Sequence, residues 1–338
     1  MGKITTIGLD LAKNVFHVVC CDKHGKIMKR KMLRRSGLLT WFTNQPTCLI
    51  GMESCASAHY WARALQAQGH RVKLIPAQHV KPFVRGNKND YNDALAITEA
   101  VTRPEMRFVS IKTPEQQDIQ ALHRLRERRL RDRTALCNQL RGLLGEYGIV
   151  FSRGVNVLRK HIPEILEDGE NGLSDLFRSL LSRGYQQLTE LDIHIDAYTE
   201  ALDVHSKRDD ACQRLRTIPG YGPIISSAFH SAVGNGEAYR RGRDVSASLG
   251  IVPRQNSSGG KEVLLGISKR GDRYLRSLLI HGARAVVIQA ANKEDALSRW
   301  INKIRITRGF NKAVVALANK LARIGWAVLA NNTVYQPR

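Results

Sequence analysis

Four carboxylates stand out in a chain that is otherwise short of them. Residues 1–112 hold seven acids (Asp10, Asp22, Glu53, Asp90, Asp93, Glu99 and Glu105), and the whole chain carries 53 Lys+Arg against 30 Asp+Glu. Asp10 closes the run "ITTIGL" and Glu53 closes "TCLIGM", both of which read as buried strands. Paired strands lie about 4.8 Å apart, so if these two are neighbours their carboxylates converge at one sheet edge. Asp90 and Asp93, three apart in "NKNDYNDALAIT", share one face of a helix beginning near Asn89, while Glu99 falls on another face. Taken singly, Asp10 is explained as a turn residue and Asp90 as a cap or first-turn anion at a helix N-terminus. Taken together, four such carboxylates repel one another unless a cation sits among them. Mg²⁺ suits carboxylate oxygens, and a pair of such ions can clamp a phosphodiester during in-line attack. No His or Cys stands at a spacing that favours a softer metal. The expectation is a Mg²⁺ site at Asp10, Glu53, Asp90 and Asp93.

The elements that must position these groups follow from the apolar pattern. "ITTIGL", "VFHVVCCD", "IMKRKML", "TCLIGMES" and "RVKLIPA" read as strands, with "KHGK" as a hairpin turn. "SGLLTWFTNQ" and "AHYWARALQAQG" read as helices. The order β-β-β-α-β-α-β gives a mixed sheet flanked by helices.

A length of 338 residues fits two or three domains, and 43% apolar with 25% charged residues is ordinary for a globular chain. The net charge of +23, with a pI near 10.2, is not. It points to a polyanion, nucleic acid above all. A cationic membrane-surface protein would want a basic amphipathic helix with aromatic anchors, and aromatics are only 6%. Cys20, Cys21, Cys48, Cys55, Cys137 and Cys212 form no C-x-x-C pair, which favours reduced, buried thiols. The N-terminus has no signal-peptide plan and no apolar run reaches membrane length, so a soluble, cytoplasmic protein is expected.

From Thr113-Pro114 a long helix carries Arg124, Arg126, Arg128, Arg129, Arg131 and Arg133 against Glu127 and Asp132. That exceeds what ion pairing needs and favours phosphate contacts. Leu188, Leu191, Ile195, Tyr198 and Leu202 form a heptad-like stripe that serves equally as intrachain core or as a dimer seam. "IPGYG" (218–222) is a tight turn between helices that looks like a helix-hairpin-helix, with Gly220 and Gly222 allowing close approach to a phosphate. "GIVPRQNSSGG" reads as an exposed, mobile loop, and "ISKRGDRYLR" places Lys269, Arg270, Arg273 and Arg276 at the next helix start. No activating histidine stands near Ser257 or Ser258, so from chemistry alone either serine is a loop residue or a nucleophile. "TRGFNKAVVALANKLARIGWAVLANN" reads as a basic amphipathic helix on which Arg305, Arg308 and Lys312 extend the nucleic-acid surface.

"IGLDLAKNVFHV", "GMESCAS", "NKNDYNDALAIT", the IPGxG turn and "GIVPRQNSSGG…ISKRG…LR" occur in the order of the blocks of IS110-family transposases, and the chain resembles the IS1111 group of that family over nearly its whole length. The resemblance implies an RNase H-like, RuvC-like DEDD domain over 1–150 ending in the Arg-rich helix. A helical, coiled-coil-like dimerisation region over 151–212 follows, then a mostly helical transposase domain over 213–338. It places the acidic tetrad on Asp10, Glu53, Asp90 and Asp93, with Mg²⁺, and the nucleophile on Ser258, with Ser257 as an adjacent decoy. It implies a DNA transposase/recombinase acting on element ends and target through a phosphoserine intermediate. It also implies an element-encoded guide RNA, a homodimer assembling to a tetramer, and a nucleoid-associated location in a prokaryotic cytoplasm. The alternatives are a RuvC-like junction nuclease without a covalent intermediate and a non-catalytic nucleic-acid-binding protein.

Overall fold

Strand β1 (Thr6–Asp10) is buried from Thr6 to Leu9, the pattern of a central strand covered on both faces. The computed structural model describes residues 3–87 and 89–337; Lys88, inside the acidic stretch, lies outside them. β2 (Val15–Cys21) and β3 (Ile27–Arg34) follow antiparallel, and Asp22 closes the turn between them by accepting the His24 and Lys26 amides. After α1 (Leu38–Thr43), β4 (Leu49–Glu53) pairs parallel with β1. α2 (Ala58–Ala67) leads to β5 (Arg71–Ile75), parallel to β4. The five strands that the pattern predicts form one mixed sheet in the order β3-β2-β1-β4-β5, consistent with an RNase H-like domain. α3 (Ala77–Val80) and α4 (Asp90–Val101) complete this part.

One face of the sheet packs Phe16, Phe42, Met52, Trp61 and Leu65 in a single apolar cluster. The other is covered by α4 through Ala94, Ile97, Ala100 and Val101. Gly8 and Gly51 make that approach possible. A Cβ on Gly8 would fall 2.0 Å from the Ala94 carbonyl oxygen, and one on Gly51 would fall 2.9 Å from Val101 Cβ. The missing side chains let α4 lie directly on β1 and β4.

The backbone contacts divide into two compact units, Met1–Pro114 with Glu237–Arg240, and Glu115–Gly236 with Arg241–Arg338. The division falls at the start of α5 (Pro114–Gly145), so the Arg-rich helix packs with the second unit, and residue 150 lies beyond its far end. α6 (Val155–Glu167) and α7 (Asp175–Arg208) pack with α5 around Leu140, Leu144, Leu158, Ile162 and Leu181. α5 and α7 run antiparallel: Arg126 donates to Thr199, Arg133 pairs with Asp192, and Leu140 fills the space over Gly184. Leu188, Ile195 and Leu202 of the heptad-like stripe are buried within the chain, so those positions serve its own core.

α8 (Asp210–Arg216), α9 (Pro223–Val233) and α10 (Gly242–Ser248) lead to a hairpin of β6 (Pro253–Gln255) and β7 (Leu264–Ile267). α11 (Arg273–Gln289), α12 (Ala296–Arg308) and α13 (Phe310–Ala330) end the chain. The last helical stretch breaks at Gly309, φ +87°, into two helices where the sequence pattern predicts one. α13 is long and apolar enough to cross a membrane, but 50% of that window is buried inside the molecule, as in a core helix. The absence of membrane-length apolar runs therefore holds only for uninterrupted ones, since Lys312, Lys320 and Arg323 punctuate this helix. All six cysteines are free and five are buried; Cys55 is exposed, contrary to the expectation for that position.

Candidate active site: a carboxylate tetrad and a serine hairpin

Asp10 ends β1 and Glu53 ends β4. The parallel register Leu9↔Met52 sets both carboxylates at the same edge of neighbouring strands. α4 runs against this edge with its N-terminus: Ala94 and Thr98 meet Gly8, so Asp90 and Asp93, in the first turn of the helix, lie toward the strand ends. Asn89, not Asp90, caps the helix, its side chain accepting the Tyr91 amide at 2.9 Å. Asp90 is thereby freed from the capping role that the sequence alone allows it, and its side chain is 59% exposed. Glu99 pairs with Arg85 at 3.2 Å and takes no part.

The electrostatics tie Asp10 to the other three carboxylates. Burial, then Asp93, Asp90 and Glu53, push the Asp10 carboxyl up to about 6 from its ordinary 3.8, with only His17 working the other way. Burial and then Asp93 also raise Glu53. This is a site with excess negative charge, relieved at Asp10 by His17. Its donors are all carboxylate oxygens, the set a hard divalent cation takes. His17, which the sequence reading passed over, lies opposite Asp10 in the β1–β2 register, and its Nδ1 is 3.4 Å from Asp90. Its ring also meets Tyr91 edge to face at 4.8 Å. The signal was the period-2 pattern of "FHV", which turns His17 away from buried Phe16 and Val18.

The second unit carries the serine. "GIVPRQNSSGG" is not an irregular loop but one arm and the tip of the β6–β7 hairpin. Gly259 and Gly260, at φ +56° and +78°, occupy the two turn positions, closed by the Lys261 amide donating to the Ser258 carbonyl at 3.0 Å. This is the double left-handed geometry that favours Gly-Gly in a two-residue turn. The two serines then differ. Ser257 Oγ accepts the Val263 amide at 3.3 Å, inside the hairpin, whereas the Ser258 hydroxyl has no protein partner among the described residues and sits exposed beside the turn. At the hairpin's base, a Cβ on Gly250 would fall 2.1 Å from the Arg270 carbonyl oxygen and one on Gly271 would fall 1.7 Å from that of Ser248. Backbone-to-backbone contact thus joins the "GIVP" and "ISKRG" blocks.

The other expected contacts sort unevenly. Lys269, Arg270 and Arg273 face solvent around the start of α11, but Arg276 is 8% exposed and donates to the Leu249 carbonyl at 2.8 Å. Arg276 is therefore turned inward, because it closes the hairpin base onto α11. Gly220, at φ +85°, packs against α11, where a Cβ would meet the Gly282 carbonyl at 2.9 Å; Gly222 is open. Of the Arg-rich group, Arg128 and Arg129 pair with Asp132, Arg131 with Glu127, and Arg133 with Asp192. Arg126 bonds Thr199, and Arg124 alone has no partner among the described residues. Ion pairing thus accounts for four of the six in the free chain. A mixed cluster at the α7–α8 junction, His205, Asp209 and Cys212, brings its donor atoms within 4.8 Å. Asp209 is already engaged there, capping α8 at the Cys212 amide and pairing with His230 at 3.1 Å.

The chain thus combines a mixed sheet with acids at its central strand ends and a helical unit with a serine hairpin, and comparison with known proteins gives the family. A family described as Transposase, of the DEDD IS110 type, matches residues 7–149, and the Transposase IS116/IS110/IS902 family matches 212–298. The transposase for insertion sequence element IS1111A of Coxiella burnetii is 43% identical over 99% of this chain and 92% of its own length. That for IS1328 of Yersinia enterocolitica is 43% identical over 99% of each, and a Pseudomonas aeruginosa relative reaches 47% over the same shares. The chain belongs to the IS110 family of transposases, in its IS1111 group. DNA cleavage and transfer are the activity that membership implies.

Proposed function

We propose that this transposase cuts and rejoins DNA through a covalent bond to Ser258, supported by Mg²⁺ held at Asp10, Glu53, Asp90 and Asp93. The observation that carries the reading is that one chain holds both a crowded carboxylate tetrad and a serine hydroxyl presented, without a partner among the described residues, beside a hairpin turn. Ser258 Oγ forms a bond to phosphorus as the bond to the leaving strand oxygen breaks. The serine gives up its proton and the leaving oxygen gains one, so the step is balanced. A strand hydroxyl then reverses it on a new partner, and because the phosphodiester bond energy is retained no nucleotide triphosphate is needed. Held by Asp10, Glu53, Asp90 and Asp93, Mg²⁺ would neutralise charge at the phosphate and favour loss of the serine proton, which accounts for a nucleophile without a neighbouring histidine.

Element ends and target are the DNA substrates. A structured RNA from the element selects them by base pairing, in keeping with a net charge of +23 and no base-reading module evident in the sequence. Chains act as a homodimer that pairs into a tetramer, the tetrad of one serving the serine of another, in the prokaryotic cytoplasm on the nucleoid. The test is a protein–DNA adduct that survives denaturation, formed on DNA carrying the element and its flanks with the RNA co-expressed. Wild type forms it with Mg²⁺, while Ser258→Ala and Asp10→Asn do not. Mg²⁺-dependent cutting without an adduct, unchanged in Ser258→Ala, would instead identify a RuvC-like nuclease.

A further inference from the structure

The hairpin that carries Ser258 also forms one wall of a groove of about 1310 Å³, lined in addition by α10, α12 and α13. Its apolar lining includes Ile251, Leu265, Ile267, Val315, Ile324 and the indole of Trp300. Five cations share it (Arg241, Arg243, Lys312, Lys320 and Arg323), and no acidic residue does. Arg241 has a carboxylate neighbour, Asp244, only at 3.9 Å, and the other four have no ion pair among the described residues. Lys320 Nζ lies 4.5 Å from the centre of the Trp300 ring. On the hairpin, Leu264 and Leu265 are 64% and 45% exposed, so apolar surface waits there beside unpaired positive charge.

We infer that this groove binds unpaired nucleotides of the strand on which Ser258 acts; the inference rests on the covalent reading above. Small-ligand pockets measure roughly 300–1,000 Å³, so a larger open groove fits a stretch of polymer. The polymer is anionic, because five cations, four of them without an ion pair among the described residues, and no acids line its path. It also presents apolar faces, and a duplex hides those in its stack while an unpaired strand offers them to aromatic and aliphatic side chains. An acidic amphipathic helix of another protein shares the charge and the apolar face. Continuity decides between them: Pro253, Leu264 and Ile267 line the groove, and the tip that joins the same two strands carries Ser258. A strand held in the groove therefore lies along the arm that presents the hydroxyl.

The test uses full-length protein carrying Ser258→Ala, so that no chemistry intervenes. Its probe is a short single-stranded oligonucleotide with 2-aminopurine, compared with the same sequence as a duplex. Lys312→Glu and Trp300→Leu each weaken single-strand binding about tenfold, the scale of one lost stacking or phosphate contact, and weaken duplex binding far less. The 2-aminopurine quench on binding is lost in Trp300→Leu. Should Trp300→Leu fail to fold, Lys312→Glu carries the comparison, since Lys312 is exposed. Equal weakening of strand and duplex, or none, overturns the inference. So does a wild-type groove that takes an acidic amphipathic peptide and not the oligonucleotide. If strand binding follows the groove variants but the wild type forms no Ser258 adduct, the covalent reading falls and the groove stands. If the adduct forms and strand binding ignores the variants, only the groove falls.

Discussion

Gly8 of β1 and Ala94 of α4 are in backbone contact: a Cβ on Gly8 would lie 2.0 Å from the Ala94 carbonyl oxygen and 2.2 Å from Thr98 Oγ1. This contact holds the helix bearing Asp90 and Asp93 over the strand bearing Asp10. Gly8→Ala therefore has to push α4 away from the sheet. We expect a loss of at least about 3 kcal/mol, the upper range for overpacking a core, with soluble yield falling too. Urea unfolding measures it. Gly142→Ala, at an exposed helical position with open space around it, is the control that stays within about 1 kcal/mol of wild type.

The raised Asp10 carboxyl gives a pH signature in metal-free protein. Its folded value of about 6 exceeds the ordinary 3.8, so the folded chain holds this proton more tightly than the unfolded one. Stability from this group is then greatest below about pH 4 and falls as pH rises through 6. Asp10→Asn removes that fall and raises the melting temperature at pH 7 while abolishing strand transfer. Added Mg²⁺ stabilises wild type at pH 7 and leaves Asp10→Asn nearly unmoved. A wild type whose stability ignores both pH over 4–7 and Mg²⁺ contradicts a shared carboxylate site.

Asp192 on α7 lies between Arg133 of α5 and Arg159 of α6, its side chain 14% exposed. Asp192→Ala leaves two guanidinium groups facing one another. The partly buried setting puts the cost at about 2–3 kcal/mol, below that of a fully buried broken pair. Chemical denaturation followed by far-UV circular dichroism reads it. Arg131→Ala, which removes only a surface pair with Glu127, changes stability by less than about 1 kcal/mol.

Ser257 and Ser258 separate by their bonding. Ser257→Ala removes an acceptor for the Val263 amide at the edge of an exposed hairpin and costs no more than about 1 kcal/mol. Adduct formation survives it at reduced yield. Ser258→Ala leaves hairpin and stability intact and removes the adduct entirely. Denaturing gels of the two variants side by side decide it.

Much of the first unit was legible because its signals are local. Apolar, β-branched runs marked each strand, and Asp10 and Glu53 stood at the ends of two of them, with α4 starting directly after Asn89. The neighbour relation between β1 and β4 was a conditional that only the register resolves. The serine hairpin escaped notice because its strands are three and four residues long and its Pro, Asn, Ser and Gly content reads as loop. The Gly259-Gly260 pair was the available cue. Arg133 of α5 looked unpaired because its partner, Asp192, stands 59 residues further on. Arg276 looked like a surface cation since nothing local reveals that Leu249 claims it.

The most direct measurement of the central claim is to digest the denatured protein–DNA adduct and locate the nucleotide-bearing peptide by mass spectrometry. We expect a phosphodiester-linked nucleotide on Ser258, in the peptide spanning Gln255 to Lys261, formed only when Mg²⁺ and Asp10 are present. Cleaved DNA with every copy of that peptide unmodified, or the nucleotide on another residue, contradicts it.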